Sequence, residues 1–193
     1  MKKMTSETLE HSGFTVPYAA PSPLGVAWLR GEAVRFSEGE NHRRRRLLTE
    51  HLLAQLTVVP VDGEDPATTV LTAMGMPTDL AEEVALAASG YQPHSPHSAA
   101  ADEAVERLVA AFGVRDEVTA ANICILVQSQ AGVGALIQAL RDKNEGPPIL
   151  STRRVDAAGT EVEVELHGAH FGRGHHACPG EHMGRILAAA AIR

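Results

Sequence analysis

The sequence has few cysteines, few aromatic residues and no excess of positive charge. Two cysteines among 193 residues are too few for a disulfide framework, which fits a reducing compartment and predicts a cytoplasmic location. The 17 basic and 24 acidic residues give a net charge of −7. Nucleic-acid binding needs a basic surface, so this balance disfavours nucleic acid as a partner.

Long apolar segments are not apparent either. No apolar stretch follows Lys2 and Lys3, so no signal peptide is expected. A membrane span needs roughly 18 apolar residues in a row. We expect no run of that length and therefore no membrane association.

The residues that are present predict a mainly α fold. The chain is rich in alanine and leucine and only 4% aromatic, which favours helices over strands. Prolines in residues 1–24 indicate an irregular N-terminal arm, and residues 25–193 have the size of a single domain. Alternation in 161–166, after a matching segment at 150–155, predicts one small β-hairpin.

Capping residues predict where several helices begin. Ser37 and Glu40 form a capping-box pattern, and Asp65 with Pro66 has the pattern of an N-cap followed by a first helical residue. The longest apolar stretch, 116–140, predicts a central buried helix that contains Cys124 as a core residue. Its Gly132 and Gly134 indicate either close backbone access for a ligand or tight helix packing.

The segment HGAHFGRGHHACPGEHMGR carries the main functional signal. Cys178 directly precedes Pro179, the predicted start of the last helix, where the positive helix end favours a thiolate. Gly172 and Gly174 allow the preceding loop to turn tightly and to approach a flat ligand. A thiolate in such a loop is a suitable axial ligand for haem iron.

This segment resembles the F-G-x-G-x-H-x-C-x-G haem-thiolate loop of cytochromes P-450. All six fixed positions match, and they are Phe171, Gly172, Gly174, His176, Cys178 and Gly180. The resemblance implies a shortened cytochrome P-450-like helical bundle that holds haem b, with Cys178 as the ligand of the iron.

Other segments resemble landmarks of the same family. His42 and Arg46 match an H-x-x-x-R helix, and their i, i+4 spacing puts both on one face, within reach of a haem propionate. The resemblance also assigns His176 to a propionate, together with Arg154 or its neighbour Arg153. The segment LVQSQAGVGALI resembles the long helix over the haem. The residues that this likeness assigns to the substrate side are Gln128, Gln130, Ala131 and Val133.

The implied activity is a monooxygenase-type oxidation of a small organic metabolite, in a role such as secondary metabolism. A ferredoxin or reductase would supply electrons. The family's E-x-x-R pair is absent, and Ala131, Gly132 and Val133 replace its acid–alcohol pair. These departures leave three alternatives open: a peroxide-dependent enzyme, a redox-neutral isomerase or dehydratase, and a non-catalytic haem-binding accessory protein. A homo-oligomer would cover apolar surface left by missing elements.

Three further signals have competing interpretations. A zinc site is the rival chemistry for the cysteine loop, and its candidate ligands are His167, His170, His175, His176, Cys178 and His182. Trp28 is interpreted as a core anchor or as a haem-edge contact. His94 and His97 lie in a proline-rich loop that is either solvent-exposed or a substrate lid.

Overall fold

The computed structural model describes residues 1–92 and 95–193. Within them, seven α-helices and three short strands are connected by loops and short 3₁₀ helices. The helices are α1 (Gly25–Glu32), α2 (Gly39–Gln55), α3 (Pro66–Ala73), α4 (Ala81–Tyr91), α5 (Ala99–Phe112), α6 (Glu117–Arg141) and α7 (Glu181–Ala191). The strands are β1 (Lys2–Met4), β2 (Ser151–Val155) and β3 (Glu161–Glu165). His94 lies outside the described residues, and His97 is exposed beside Asp102.

Helix α6 is the centre of the bundle, as predicted. It packs against each of the other six helices, and Ile123, Leu126 and Val127 on it are fully buried. By length and composition alone this helix meets the criterion for a membrane span, so the expectation that no segment would do so was wrong. Half of its apolar window is buried inside the fold, which a core helix also shows.

The helix ends follow the capping residues in most places. The Asp65 carboxylate accepts hydrogen bonds from the N–H groups of Ala67 and Thr68, at 3.0 and 3.2 Å. The capping box at Ser37 was wrong. The Ser37 hydroxyl donates to the carbonyl of Val34 instead, because the chain turns at Gly39 with a φ of +61° and the helix begins only there.

The predicted hairpin forms the greater part of a three-stranded sheet. Strand β2 pairs antiparallel with β3, and the alternating Val162 and Val164 face inward, fully buried. Strand β1 pairs parallel with the other edge of β3. The N-terminal arm is therefore not irregular throughout, because the free edge of β3 recruits three residues that are too few to show an alternating pattern.

The described residues form two apolar cores, and the loop between β3 and α7 connects them along the chain. The main core lies among the helices and contains Trp28, which is 7% exposed and stacks under the Arg115 guanidinium at 4.7 Å. This supports the core interpretation of Trp28. The smaller core joins Leu9 to β3 and to Leu166. The cysteine loop is thus fixed at both ends by packed structure.

Candidate functional site

A cavity of about 300 Å³ lies between α6 and the loop that precedes α7. Helix α2, strand β2 and the N-terminal arm complete its walls. Its volume is at the lower end of the range for ligand sites in proteins. The walls contain most of the predicted site residues, namely His42, Arg46, Gln128, Val133, Arg154, Phe171, Gly172, His176, Cys178 and Gly180.

The loop holds Cys178 at the cavity through backbone hydrogen bonds. The Cys178 N–H donates to the carbonyl of Phe171 at 2.8 Å, which closes the loop on itself. Gly172 adopts a φ of +75°, and a Cβ there would lie 3.5 Å from the carbonyl oxygen of His176. This left-handed conformation favours glycine. Solvent reaches the Cys178 side chain.

The expected preference of Cys178 for the thiolate is not present in the protein alone. Surrounding protein atoms raise the pKa of the Cys178 thiol by removing water from around it, even though part of the side chain remains accessible. The Gly180 N–H and the charge of Arg46 act in the opposite direction but do not outweigh this burial. A further positive charge at the sulfur, such as a metal ion, is needed to make the thiolate dominant.

Helix α2 contributes two of the predicted residues to the same wall. The Arg46 guanidinium donates to the backbone carbonyl of Ala177 and to the carboxylate of Glu50. His42 is 4% exposed, and its Nε2 has no hydrogen-bond partner among the residues that the structure describes. Its ring centroid lies 4.2 Å from that of His176. His42 therefore has a spare hydrogen-bonding atom at the cavity.

Glu38 joins the histidines and was missed by the sequence reasoning. Its carboxylate oxygens lie 3.3 Å from Nε2 of His175 and 3.3 Å from Nε2 of His176, and it also accepts from the N–H of Val16 at 2.8 Å. Burial, and then the neighbouring His42, lower the pKa of His176 to about 4. His176 is therefore neutral at pH 7 and acts as an N–H donor. The detectable signal for Glu38 was its position four residues before His42.

The two candidate arginines of β2 have different environments in the structure. Both lie at the cavity, but Arg153 is bound to Glu161 at 2.9 Å on the outer side of the sheet. Arg154 is 8% exposed, and the one hydrogen bond found for its guanidinium within the described residues goes to the carbonyl of Arg153. Arg154 is therefore the better candidate for an anion.

The α6 wall carries part of the predicted substrate side. Gln128, Gly132 and Val133 line the cavity, and a Cβ at Gly132 would have only Gln128 Oε1 nearby, at 3.7 Å. Gly132 therefore gives open backbone access rather than tight helix packing. The Ser129 hydroxyl also faces this wall but donates to the carbonyl of Leu126 at 2.7 Å.

Three predicted residues do not belong to the cavity wall. Gln130 and Ala131 are not among the residues that line the cavity. Two residues correspond to about 200° of helical rotation, so Gln130 lies on the side of α6 opposite to Gln128. Gly174 packs against the N-terminal arm, where a Cβ would lie 3.1 Å from the carbonyl oxygen of Leu9. Its φ of +66° makes it a turn residue of the loop.

The zinc interpretation gains little from the geometry. Among the described residues, the group with metal-ligand spacing is Glu38, His175 and His176, whose ligand atoms lie within 4.8 Å of one another. Cys178 is not a member of that group. The remaining predicted ligands, His167, His170 and His182, are not members either.

Comparisons with known proteins find similarity in the fold of this chain. No protein-family model matches the sequence, and no curated protein matches it. Solved structures do match, and two of them are each aligned over 97% of this chain. The first is P450BioI in complex with a hexadec-9Z-enoic acid-ligated acyl carrier protein, with a TM-score of 0.63, 16% sequence identity and 81% of that chain covered. The second is CxnD, a cytochrome P-450 enzyme for C–S bond formation in chuangxinmycin biosynthesis, with a TM-score of 0.56, 14% sequence identity and 76% of that chain covered. The predicted fold, a shortened cytochrome P-450-like helical bundle, is confirmed.

Proposed function

We propose that this protein binds haem b through the Cys178 thiolate and acts as a haem-thiolate oxidoreductase on a small organic molecule. The observation that carries the proposal is that Cys178 lines one cavity together with the donor groups suited to the two propionates of a haem. The cytochrome P-450-like fold supports the same assignment.

The donor set at the cavity fits the cofactor. Arg154 is a buried cation with little internal pairing, and the buried Nε2 of His42 has no partner among the described residues. Guanidinium and imidazole groups are suitable donors to carboxylates. Arg154, His42 and His176 would hold the propionates, while Arg46 would hold the cysteine loop through the Ala177 carbonyl.

The cavity wall formed by α6 would bind the substrate on the side of the cofactor opposite to Cys178. When bound, a thiolate-ligated haem supplies activation of dioxygen, with electrons from a ferredoxin or reductase. Gln128 would bind the substrate or order water, and Val133 with Leu136 would exclude bulk water.

We also propose a cytoplasmic location and a role in secondary metabolism. P450BioI is complexed with a carrier protein, and by analogy a protein partner is proposed here.

Peroxide-dependent turnover is the second candidate, and the α6 wall favours it. Gly132 and Val133 stand at the wall where the family pair would relay protons, and the Ser129 hydroxyl is engaged by the Leu126 carbonyl. A positioned general acid contributes typically about 10²–10⁴-fold to a rate. Peroxide already carries the electrons and protons that dioxygen activation needs, so this route depends less on such a residue. The replacement of the acid–alcohol pair also motivates two other candidates, a redox-neutral reaction and a non-catalytic accessory role.

The absorption spectrum of the reduced protein with carbon monoxide tests the haem-thiolate proposal. We expect the shifted Soret band of a thiolate ligand in the wild type, and its loss in Cys178→Ala with haem still bound. Cys124→Ala is the matched control. This variant should keep the band, because Cys124 is not the proposed ligand of the iron. A protein that takes up no haem, or a band unchanged in Cys178→Ala, would overturn the assignment.

Turnover assays then separate the candidate reactions. The haem-loaded protein is compared with hydrogen peroxide and with dioxygen plus a ferredoxin and its reductase. Product formation with peroxide alone supports the second candidate. Activity under neither condition favours the redox-neutral or accessory role.

A further inference from the structure

Arg35 is an unpaired cation in the cavity wall that the haem assignment does not use. It lies between α1 and α2, with its guanidinium carbon 5.6 Å from the ring centroid of Phe36. Within the described residues, its side chain forms no ion pair, and no hydrogen bond is found for it. The surrounding protein lowers the pKa of Arg35 through burial, but an arginine still keeps its charge at neutral pH.

Among the described residues, the groups found to interact with this charge include no anion at neutral pH, because Arg30 and Arg154 are cations and Tyr91 and Cys124 are neutral. Tyr91 and Cys124 are the residues whose fields act on Arg35 from α4 and α6, and both line the cavity. The Tyr91 hydroxyl and the Cys124 sulfur lie 3.5 Å apart and share a hydrogen bond. Burial raises the pKa of Tyr91 well above its usual value and that of Cys124 to about 11. Neither group balances the guanidinium at pH 7.

Arg35 is partly exposed, at the wall of a largely apolar cavity. A charge in such a place without a partner among the described residues indicates a ligand of opposite charge. The propionates have their own donors in Arg154, His42 and His176. The charge of Arg35 also acts on Arg154. Arg35 lines the cavity together with Cys124, which is one helical turn before Gln128 on the same face of α6. This is the wall to which substrate binding is assigned above.

We infer that the substrate of this cavity is an organic carboxylate with an apolar body, whose carboxylate binds the Arg35 guanidinium. The inference rests on the proposed function of the cavity as a substrate site. The planar fork of a guanidinium matches a carboxylate in a two-bond arrangement. Val34, Phe36, Ile125 and Val133 offer the apolar walls for the rest of the molecule.

Calorimetric titration with octanoate tests the inference on the full chain as isolated, with its haem content measured separately. Octanamide is the matched uncharged probe. We expect octanoate to bind at least about tenfold more tightly than octanamide in the wild type, since hydrogen bonds to charged groups are the stronger class. We expect Arg35→Gln to lose this preference and Arg35→Lys to keep part of it. Arg141→Gln, an exposed arginine at the end of α6, is the control.

Each outcome decides one of the two proposals. Haem uptake with equal binding of octanoate and octanamide, or no binding of either, overturns the carboxylate inference and leaves the haem assignment intact. Loss of haem in Arg35→Gln also overturns it, because Arg35 would then be a propionate residue. Absence of haem from the wild type overturns the proposed function, whereas an Arg35-dependent preference for octanoate would still support the anion site.

Discussion

Arg46 donates a hydrogen bond to the backbone carbonyl of Ala177, the residue before Cys178. The same guanidinium is held by Glu50, one turn further along α2, at 2.5 Å. This contact connects a long helix of the main core to the loop that carries the thiol. The position of Cys178 therefore depends on α2 as well as on the loop's own hydrogen bonds.

Replacing Arg46 by glutamine should weaken haem binding by about tenfold or more, since a charge-assisted hydrogen bond to the loop is lost. The measurement is a titration of the haem-free protein with haem, followed by Soret absorbance. Arg43→Gln is the control, because Arg43 is largely exposed and its ion pair is with Glu40 at its own helix end. Equal affinities for both variants would show that the Ala177 contact does not position the thiol.

Replacing His42 by leucine should have opposite effects on stability and on haem affinity. The buried Nε2 is a polar atom without a partner among the described residues, so its removal should stabilise the haem-free protein by about 1 kcal/mol. The same change removes a proposed propionate donor, so the affinity for haem should fall. Chemical denaturation and haem titration measure the two effects.

His51→Leu is the matched control for this experiment. His51 lies on the same helix but is exposed, so neither quantity should change appreciably. A His42→Leu protein that is both less stable and unchanged in haem affinity would contradict the assignment of His42 to the cavity.

Replacing Glu38 by glutamine should strengthen haem binding. Burial raises the pKa of Glu38, but the Val16 N–H and the two histidines outweigh it and hold the net pKa below its usual value, so the group is an anion. That charge occupies His176 and repels an incoming propionate. Glutamine keeps an acceptor for Val16 but removes the charge. Glu40→Gln, an exposed neighbour, is the control, and a weaker haem complex in Glu38→Gln would refute the prediction.

The stability of the protein should fall above pH 9, with Cys124 as one cause. Burial raises the pKa of Cys124 from 9.0 to about 11. The folded state therefore binds more protons than the unfolded state in this interval, and the free energy of unfolding decreases as pH rises through it. Two pKa units correspond to at most about 2–3 kcal/mol.

Urea denaturation of the wild type and of Cys124→Ala at pH 8 and pH 11 measures this contribution. The wild type should lose more stability between the two pH values than the variant does. Tyr91, whose pKa burial also raises, acts in the same direction in both proteins. An identical loss in the two proteins would show that the Cys124 thiol titrates normally.

The local pattern of the sequence was sufficient for the helices and for the cysteine loop. Asp65 caps its helix as predicted, because capping uses atoms within three residues of each other. Asp116 caps α6 in the same way, although the sequence analysis did not identify it as a cap. The haem-thiolate pattern at 171–180 was recognisable for the same reason. The Ser37 capping box failed because the turn at Gly39 competes with it.

The chain order of polar and apolar residues determined the helical class of this protein, its central helix and the segment that holds the thiol. Only the tertiary structure decided that Glu38 binds His176 and that Arg154 rather than Arg153 is buried at the cavity. It also decided that Arg35 lines the cavity without a counter-charge from the described part of the chain. The pKa of Cys178 was likewise set by packing, which outweighed the Gly180 N–H and the charge of Arg46. The predicted helix start at Pro179 was wrong, because α7 begins at Glu181 and Cys178 lies two residues before its N-cap, Gly180. Short-range hydrogen bonds are specified by neighbours in sequence, whereas burial and charge pairing depend on segments that meet only when the chain has folded.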